Sequence, residues 1–357
     1  MRYTLEIQKL MNRAEQENIH PKDAAKLLVS AIQIADANDD IELGYELRSE
    51  LMDKEFGLGG RGEFVNAFSW MLNAYDAEPD NYPVEDLLWK YKWIIDEVHS
   101  NPEIPLDQIS QILDDYKRRV EEQGIGLRSY YSKLLNEALY QEDEAKSKKY
   151  LELVNSLPID DLSDCRACEM DAEVSVLIVG DDFKGAYEKA QPLMKKQFSC
   201  AHVPVITSCQ LCYSAVKAGE MDLAAELFVA ADEDLQDAEN DSSLVSSVAM
   251  LIVYLFHTDK EKGWQYLEKY LPWTIDVKAS LQFFSAMHIA EALKQADQDE
   301  TVTLELPEEH PLFVAEGMYV VKTLYQYYFD LAESTSRLFD ARNGNENFSI
   351  QLKKALY

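Results

Sequence analysis

Five cysteines stand in this chain, and all of them fall between Cys165 and Cys212. Cys165 and Cys168 form a CxxC in the stretch DCRAC, and Cys200 follows about one two-helix unit later in SCAHVP, with His202 beside it. A zinc ion takes four nitrogen or sulfur ligands in tetrahedral array, and Cys165, Cys168, Cys200 and His202 could supply them. Two other readings stay open: free, partly buried thiols packed as small hydrophobes, and a redox-labile disulfide. A thioredoxin-type role is disfavoured, because no strand–helix–strand pattern surrounds the CxxC. Cys209 and Cys212 also read CxxC, but they sit inside a helical pattern and are assigned to the core.

Other residue types offer less chemistry. FGLGGRGEF holds Gly57, Gly59 and Gly62 in a formal GxGxxG, yet a helix precedes it where a dinucleotide site needs a strand. It reads as a connection between helices, in which Arg61 could meet a partner's carboxylate. The histidines are isolated, and neither HExxH nor GxSxG occurs. The acid pairs Asp39-Asp40, Asp160-Asp161 and Asp181-Asp182 fall at turns or helix starts, where carboxylates cap backbone N–H groups. Trp70, Trp89, Tyr91 and Trp93 crowd two neighbouring segments, with Lys92 among them. Core packing explains them most simply. The alternative is a groove in which Trp70, Trp89, Lys92 and Trp93, with Arg61, hold a peptide, since aromatic residues anchor interfaces.

Helical spacing must position these groups. Leu27, Leu28, Ala31, Ile34 and Ala35 share one face, and similar segments follow along the chain, most of them roughly 12 to 18 residues long. The pattern predicts helices at 84–99, 127–141, 167–179, 204–218 and 221–236, among others, and one long helix over 311–341. No stretch alternates convincingly for a sheet. The chain has 357 residues, 47% hydrophobic and 28% charged, a folded and soluble composition. Glycine and proline are scarce, at 13 and 11, which suggests few turns of special geometry.

Net charge is −31, from 34 basic and 65 acidic residues. Such a surface repels nucleic acid and anionic lipid and favours a basic protein or peptide as partner. The N-terminal segment reads as an amphipathic helix rather than a signal peptide. No apolar run reaches the ~18 residues of a membrane span. The odd cysteine number points to a reducing cytoplasm.

The segment SCQLCYSAVKAGEMDLAAELFVAA, residues 208–231, carries a resemblance. Leu211, the small Cys212, Ala224 and Phe228 stand where the tetratricopeptide motif has Leu, Gly, Ala and Phe, while Ser208 and Ala215 replace its Trp and Tyr. Weaker echoes lie at 142–158, 179–193 and 257–272, each a polar turn, a helix and a proline near the end. Gly180 and Gly219 are separated by somewhat more than the ~34 residues of the usual unit. Most of the chain thus resembles a divergent tetratricopeptide array. The segment around DCRAC and SCAHVP, with LLWKYKWIIDEV, is also similar to bacterial helical-repeat proteins of unassigned function, which implies a bacterial, cytosolic repeat protein and no particular activity.

The expectation is an all-α, right-handed superhelical array of antiparallel helix pairs. It would comprise divergent N-terminal repeats at 1–158, tetratricopeptide-like repeats with the cysteine cluster at 159–300 and capping helices at 301–357. The expected function is a non-catalytic cytoplasmic scaffold for a protein or peptide, monomeric or homodimeric; no cofactor is assigned, and structural zinc is one open reading of the cysteines. The alternative is a peptide-regulated bacterial signalling regulator, of phosphatase or sensor type, with an N-terminal bundle.

Overall fold

The computed structural model describes residues 2–60, 62–236 and 241–357. Seventeen α-helices occur among them. The first eight are α1 (Arg2–Ala14), α2 (Pro21–Asp36), α3 (Ile41–Glu55), α4 (Phe64–Ala77), α5 (Val84–His99), α6 (Leu106–Gln123), α7 (Leu127–Tyr140) and α8 (Glu144–Ser156). Next come α9 (Arg166–Val179), α10 (Phe183–Met194), α11 (Val205–Ala218), α12 (Met221–Leu235), α13 (Val245–Thr258), α14 (Lys260–Tyr270) and α15 (Ala279–Leu293). A short hairpin, β1 (Thr301–Thr303) with β2 (Met318–Val320), precedes α16 (Val321–Asn343) and α17 (Asn347–Leu356). Successive helices pack on one another, and α5, α7, α9, α11, α13 and α15 also touch in series. This sequential array is compatible with a helical-repeat solenoid. No described helix is long and apolar enough to cross a membrane.

One turn recurs between helices. Asp39, Glu142, Asp181 and Gly219 each adopt a left-handed φ, of 51°, 46°, 56° and 77°. In each case the next N–H donates back to a carbonyl five residues earlier: Asp40 to Ala35, Asp143 to Ala138, Asp182 to Leu177 and Glu220 to Ala215. This is the Schellman arrangement, which satisfies the last carbonyls of a helix. The same acidic residue then opens the following helix. Asp40, Asp143 and Asp182 accept from the N–H three residues on, and Asp259 does so before α14. Such a cap is worth ~1 kcal/mol. Asp160 differs: it accepts from the Gly126 N–H at 2.7 Å and from the Leu162 N–H, tying down the connection before α9.

Four residues after each of these starts stands a small buried residue: Gly44, Ser147, Ala186, Ala224 and Gly263. There the second helix approaches the first. A Cβ on Gly263 would meet the Phe256 ring at 2.8 Å, and Cys212, fully buried, lies 3.4 Å from the Ala224 carbonyl. Cys209 and Cys212 are therefore core, as their helical setting implies.

The core has two large parts. One is drawn from α1 to α6 with Leu162, the other from Val174 to Leu356. Between them runs a polar seam. The Arg342 guanidinium donates to the carbonyls of His99 (2.8 Å) and Asn101 (3.1 Å), and the Ser280 N–H donates to the Ser100 carbonyl. Gln351 donates to the Tyr140 carbonyl, and the Gly59 N–H to Ser242 Oγ.

The helix expected over 311–341 begins only at Val321. Pro307 and Pro311 interrupt helical hydrogen bonding, Gly317 takes a φ of 62°, and Thr301–Thr303 pairs with Met318–Val320. The alternation in TVTLEL is this strand, and the chain is predominantly rather than wholly helical.

Gly263→Ala tests the close approach. In an open helix this change stabilises by about 1 kcal/mol. Here the added methyl meets a fully buried ring, so a net loss of ~1–3 kcal/mol is expected in denaturant unfolding.

The seam also responds to pH. Burial pushes the Glu137 carboxyl up from 4.5 to about 7, against Gln141 and Arg342 nearby, while burial holds the His99 imidazole down at about 4. The folded state therefore holds the Glu137 proton more tightly than the unfolded chain. Stability at this site is full below 4.5 and declines as pH rises to 7. Melting curves at about pH 5 and about pH 8 should show Glu137→Gln gaining on the native chain at the higher pH.

Candidate metal centre

Cys165 is the N-cap of α9, and Cys168 lies in its first turn. Helix starts leave N–H groups without intrahelical partners, and a sulfur placed there can accept them. Partial burial works against a Cys165 thiolate, but the nearby backbone N–H groups of Cys168 and Ala167 and the polar thiols of Cys168 and Cys200 hold its thiol below the ordinary value. Burial and the neighbouring sulfurs push the Cys168 thiol up. Cys200 belongs to the connection between α10 and α11, where its N–H donates to the Val203 carbonyl at 2.9 Å.

The Sγ atoms of Cys165, Cys168 and Cys200 all lie within 4.8 Å of one another. Those of Cys165 and Cys168 are 3.6 Å apart, and all five cysteines are free thiols. Cys165 and Cys200 are exposed. Cys168 is half-buried against a small apolar cluster of Ala167, Met170, Leu193 and Val203. Consecutive units thus bring together residues distant in sequence, as the repeat implied. Three sulfurs at this spacing could bind a metal ion.

The connection that presents Cys165 is firmly held. Asp164 accepts from Lys92 Nζ at 2.7 Å and from Ser132 Oγ at 2.8 Å. Burial opposes its charge, but Lys133 and Lys92 hold the carboxyl well below the usual range. Lys92 also donates to the Leu162 carbonyl at 2.9 Å. Helices α5 and α7 therefore fix the backbone on which the CxxC begins, in the way outer groups orient ligating residues. Sequence reasoning missed Asp164 as a positioning residue. Its only signal was its place next to Cys165.

His202 does not join the sulfurs. Its Nε2 lies 2.5 Å from Asp241 Oδ2, and its ring stacks with Phe56 at 6.1 Å between centroids. Asp241 is partly buried, yet hydrogen bonds from His202 and Ser243 keep its carboxyl below the usual range. The expected fourth ligand is thus turned towards the start of the next unit.

The aromatic set is divided as well. Lys92 is buried, with its ammonium 3.7 Å above the Trp89 ring and both hydrogen bonds directed inward, so it cannot reach a peptide. Trp70 stacks with the Arg48 guanidinium at 3.9 Å, and Trp93 packs on Phe56 at 4.6 Å. Trp70, Trp89 and Trp93 are half-buried against the N-terminal core, and Arg61 lies outside the described residues.

In comparison with known proteins, no family model and no curated protein matches the chain.

Metal analysis checks the centre. Protein purified without chelator should carry about one equivalent of zinc, and Cys168→Ser should lose it and melt earlier. A metal-free preparation with an unchanged melting point would reject a structural ion.

Proposed function

We propose that the chain is a non-catalytic, cytoplasmic binding scaffold. It would be a right-handed superhelix of antiparallel, tetratricopeptide-like helix pairs whose inner face takes a basic protein or peptide. One observation carries this reading: a small buried residue recurs four places after the helix start at Gly44, Ser147, Ala186, Ala224 and Gly263, behind the same left-handed turn at all but the last, in helices that pack in chain order. Stacked units of this kind build extended surfaces lined by one helix of each pair. The charge of −31 supplies attraction for a cationic segment. Zinc at Cys165, Cys168 and Cys200 would act as a staple between consecutive units.

A second reading has its own support. The apolar core is divided between α1–α6 and the later helices, and a polar seam joins the parts. Polar interfaces within a chain permit relative motion. That suits a peptide-regulated signalling regulator with an N-terminal bundle.

A fluorescently labelled basic amphipathic peptide and its counterpart with acids in place of the basic residues test the scaffold. The basic peptide should bind and weaken as salt rises, with surface charges screened over ~8 Å at physiological ionic strength. Equal binding of both peptides, or of neither, would remove the reading. If the basic peptide binds and also exposes the seam to limited proteolysis, the regulator reading is favoured.

A further inference from the structure

We infer that a cation held by Cys165, Cys168 and Cys200 keeps one coordination position for a donor from outside the chain, a thiolate or an imidazole. The inference rests on the cysteine cluster being a metal site.

Zinc takes four ligands, and the cluster among the described residues holds three. Three neighbouring side chains that could coordinate are engaged elsewhere. His202 pairs with Asp241, Asp164 takes Lys92 and Ser132, and Glu169 receives Arg128 Nε at 2.6 Å. Recruiting any of them would leave a buried or half-buried partner without its counter-charge, a change that ordinarily costs several kcal/mol. Two of the three residues, Cys165 and Cys200, are exposed, while Cys168 rests on the apolar cluster. The position left by the described residues therefore lies on the solvent side.

The donor set decides what would enter. A divalent ion with three thiolates carries a net charge of −1. That lowers its Lewis acidity and weakens its ability to activate water. Asp164 and Glu169, the carboxylates adjoining the CxxC, are committed to ion pairs. Soft and borderline donors suit such an ion best, which selects cysteine thiolate and histidine imidazole over carboxylate. With a partner of basic character, the donor would be a cysteine or histidine side chain within that cationic segment.

Cobalt(II) reads the coordination directly, because its visible bands report both thiolate number and the fourth ligand. The full chain, reduced and loaded with cobalt(II) alone, should show charge-transfer intensity for three thiolates. Imidazole, a small neutral thiol, or a basic peptide containing cysteine should each shift the d–d bands saturably. A serine version of that peptide should not. His202→Ala should leave the starting spectrum unchanged. The inference is overturned if added donors leave the native spectrum unmoved, or if His202→Ala alters it, since His202 would then fill the position. If cobalt does not bind and Cys165 and Cys168 oxidise to a disulfide, the metal centre itself is wrong and the open position falls with it. The peptide arms separate a side-chain donor from a free small molecule, and the measurements on the native chain need no variant to fold.

Discussion

Two helices can lie close together only where no side chain stands between them. In this chain that condition is met four residues after the start of five helices, at Gly44, Ser147, Ala186, Ala224 and Gly263. The preceding turn sets the register. Before the first four, a left-handed residue reverses the backbone and a back-bonded N–H closes the old helix, and before Gly44, Ser147, Ala186 and Gly263 an aspartate side chain opens the new one. Register matters because helical faces repeat every 3.6 residues, so a one-residue slip would carry Ala224 away from Cys212. The turn and the small residue are therefore parts of one device.

That device also places the sulfurs. Cys165 begins α9 and Cys200 precedes α11, so the two occupy related positions in consecutive units. Stacking the units brings the positions together with no dedicated loop. Fine positioning then comes from outside the repeat, through the grip of Lys92 and Ser132 on Asp164 and of Asp160 on Gly126. The N-terminal helices thus act on the site at one remove. Lys92 spends its charge inside the protein on this task, which explains why an ammonium beside Trp89 is buried rather than presented to a ligand.

Much of this was legible in the sequence. Periodicity located most helices, and Ala224 with Phe228 disclosed the repeat. The other units were harder to align because their shared feature is not the large aromatic pattern of the first helix but an acidic cap followed by a small residue. The scarcity of glycine also misled. Left-handed turns are present, yet Asp39, Glu142 and Asp181 occupy them, a conformation that Asp tolerates better than most side chains. Thr301 to Leu306 alternates as a strand should, but the acid- and proline-rich stretch after it hid the pairing with Met318–Val320. The fate of His202 was beyond reach by spacing, since Asp241 belongs to a different connection and only the folded array brings the two together.

Charge then limits what the sulfur cluster can be. Three thiolates side by side in a chain of net charge −31 would repel one another. The proton affinities follow that rule: helix N–H groups favour ionisation of Cys165, while the adjacent sulfurs and burial oppose it at Cys168. A cation would remove the conflict by displacing the remaining protons, so its binding free energy would also hold the two units together. Even then the centre would remain negative. Such a centre would favour the cationic segment proposed above over an anionic one.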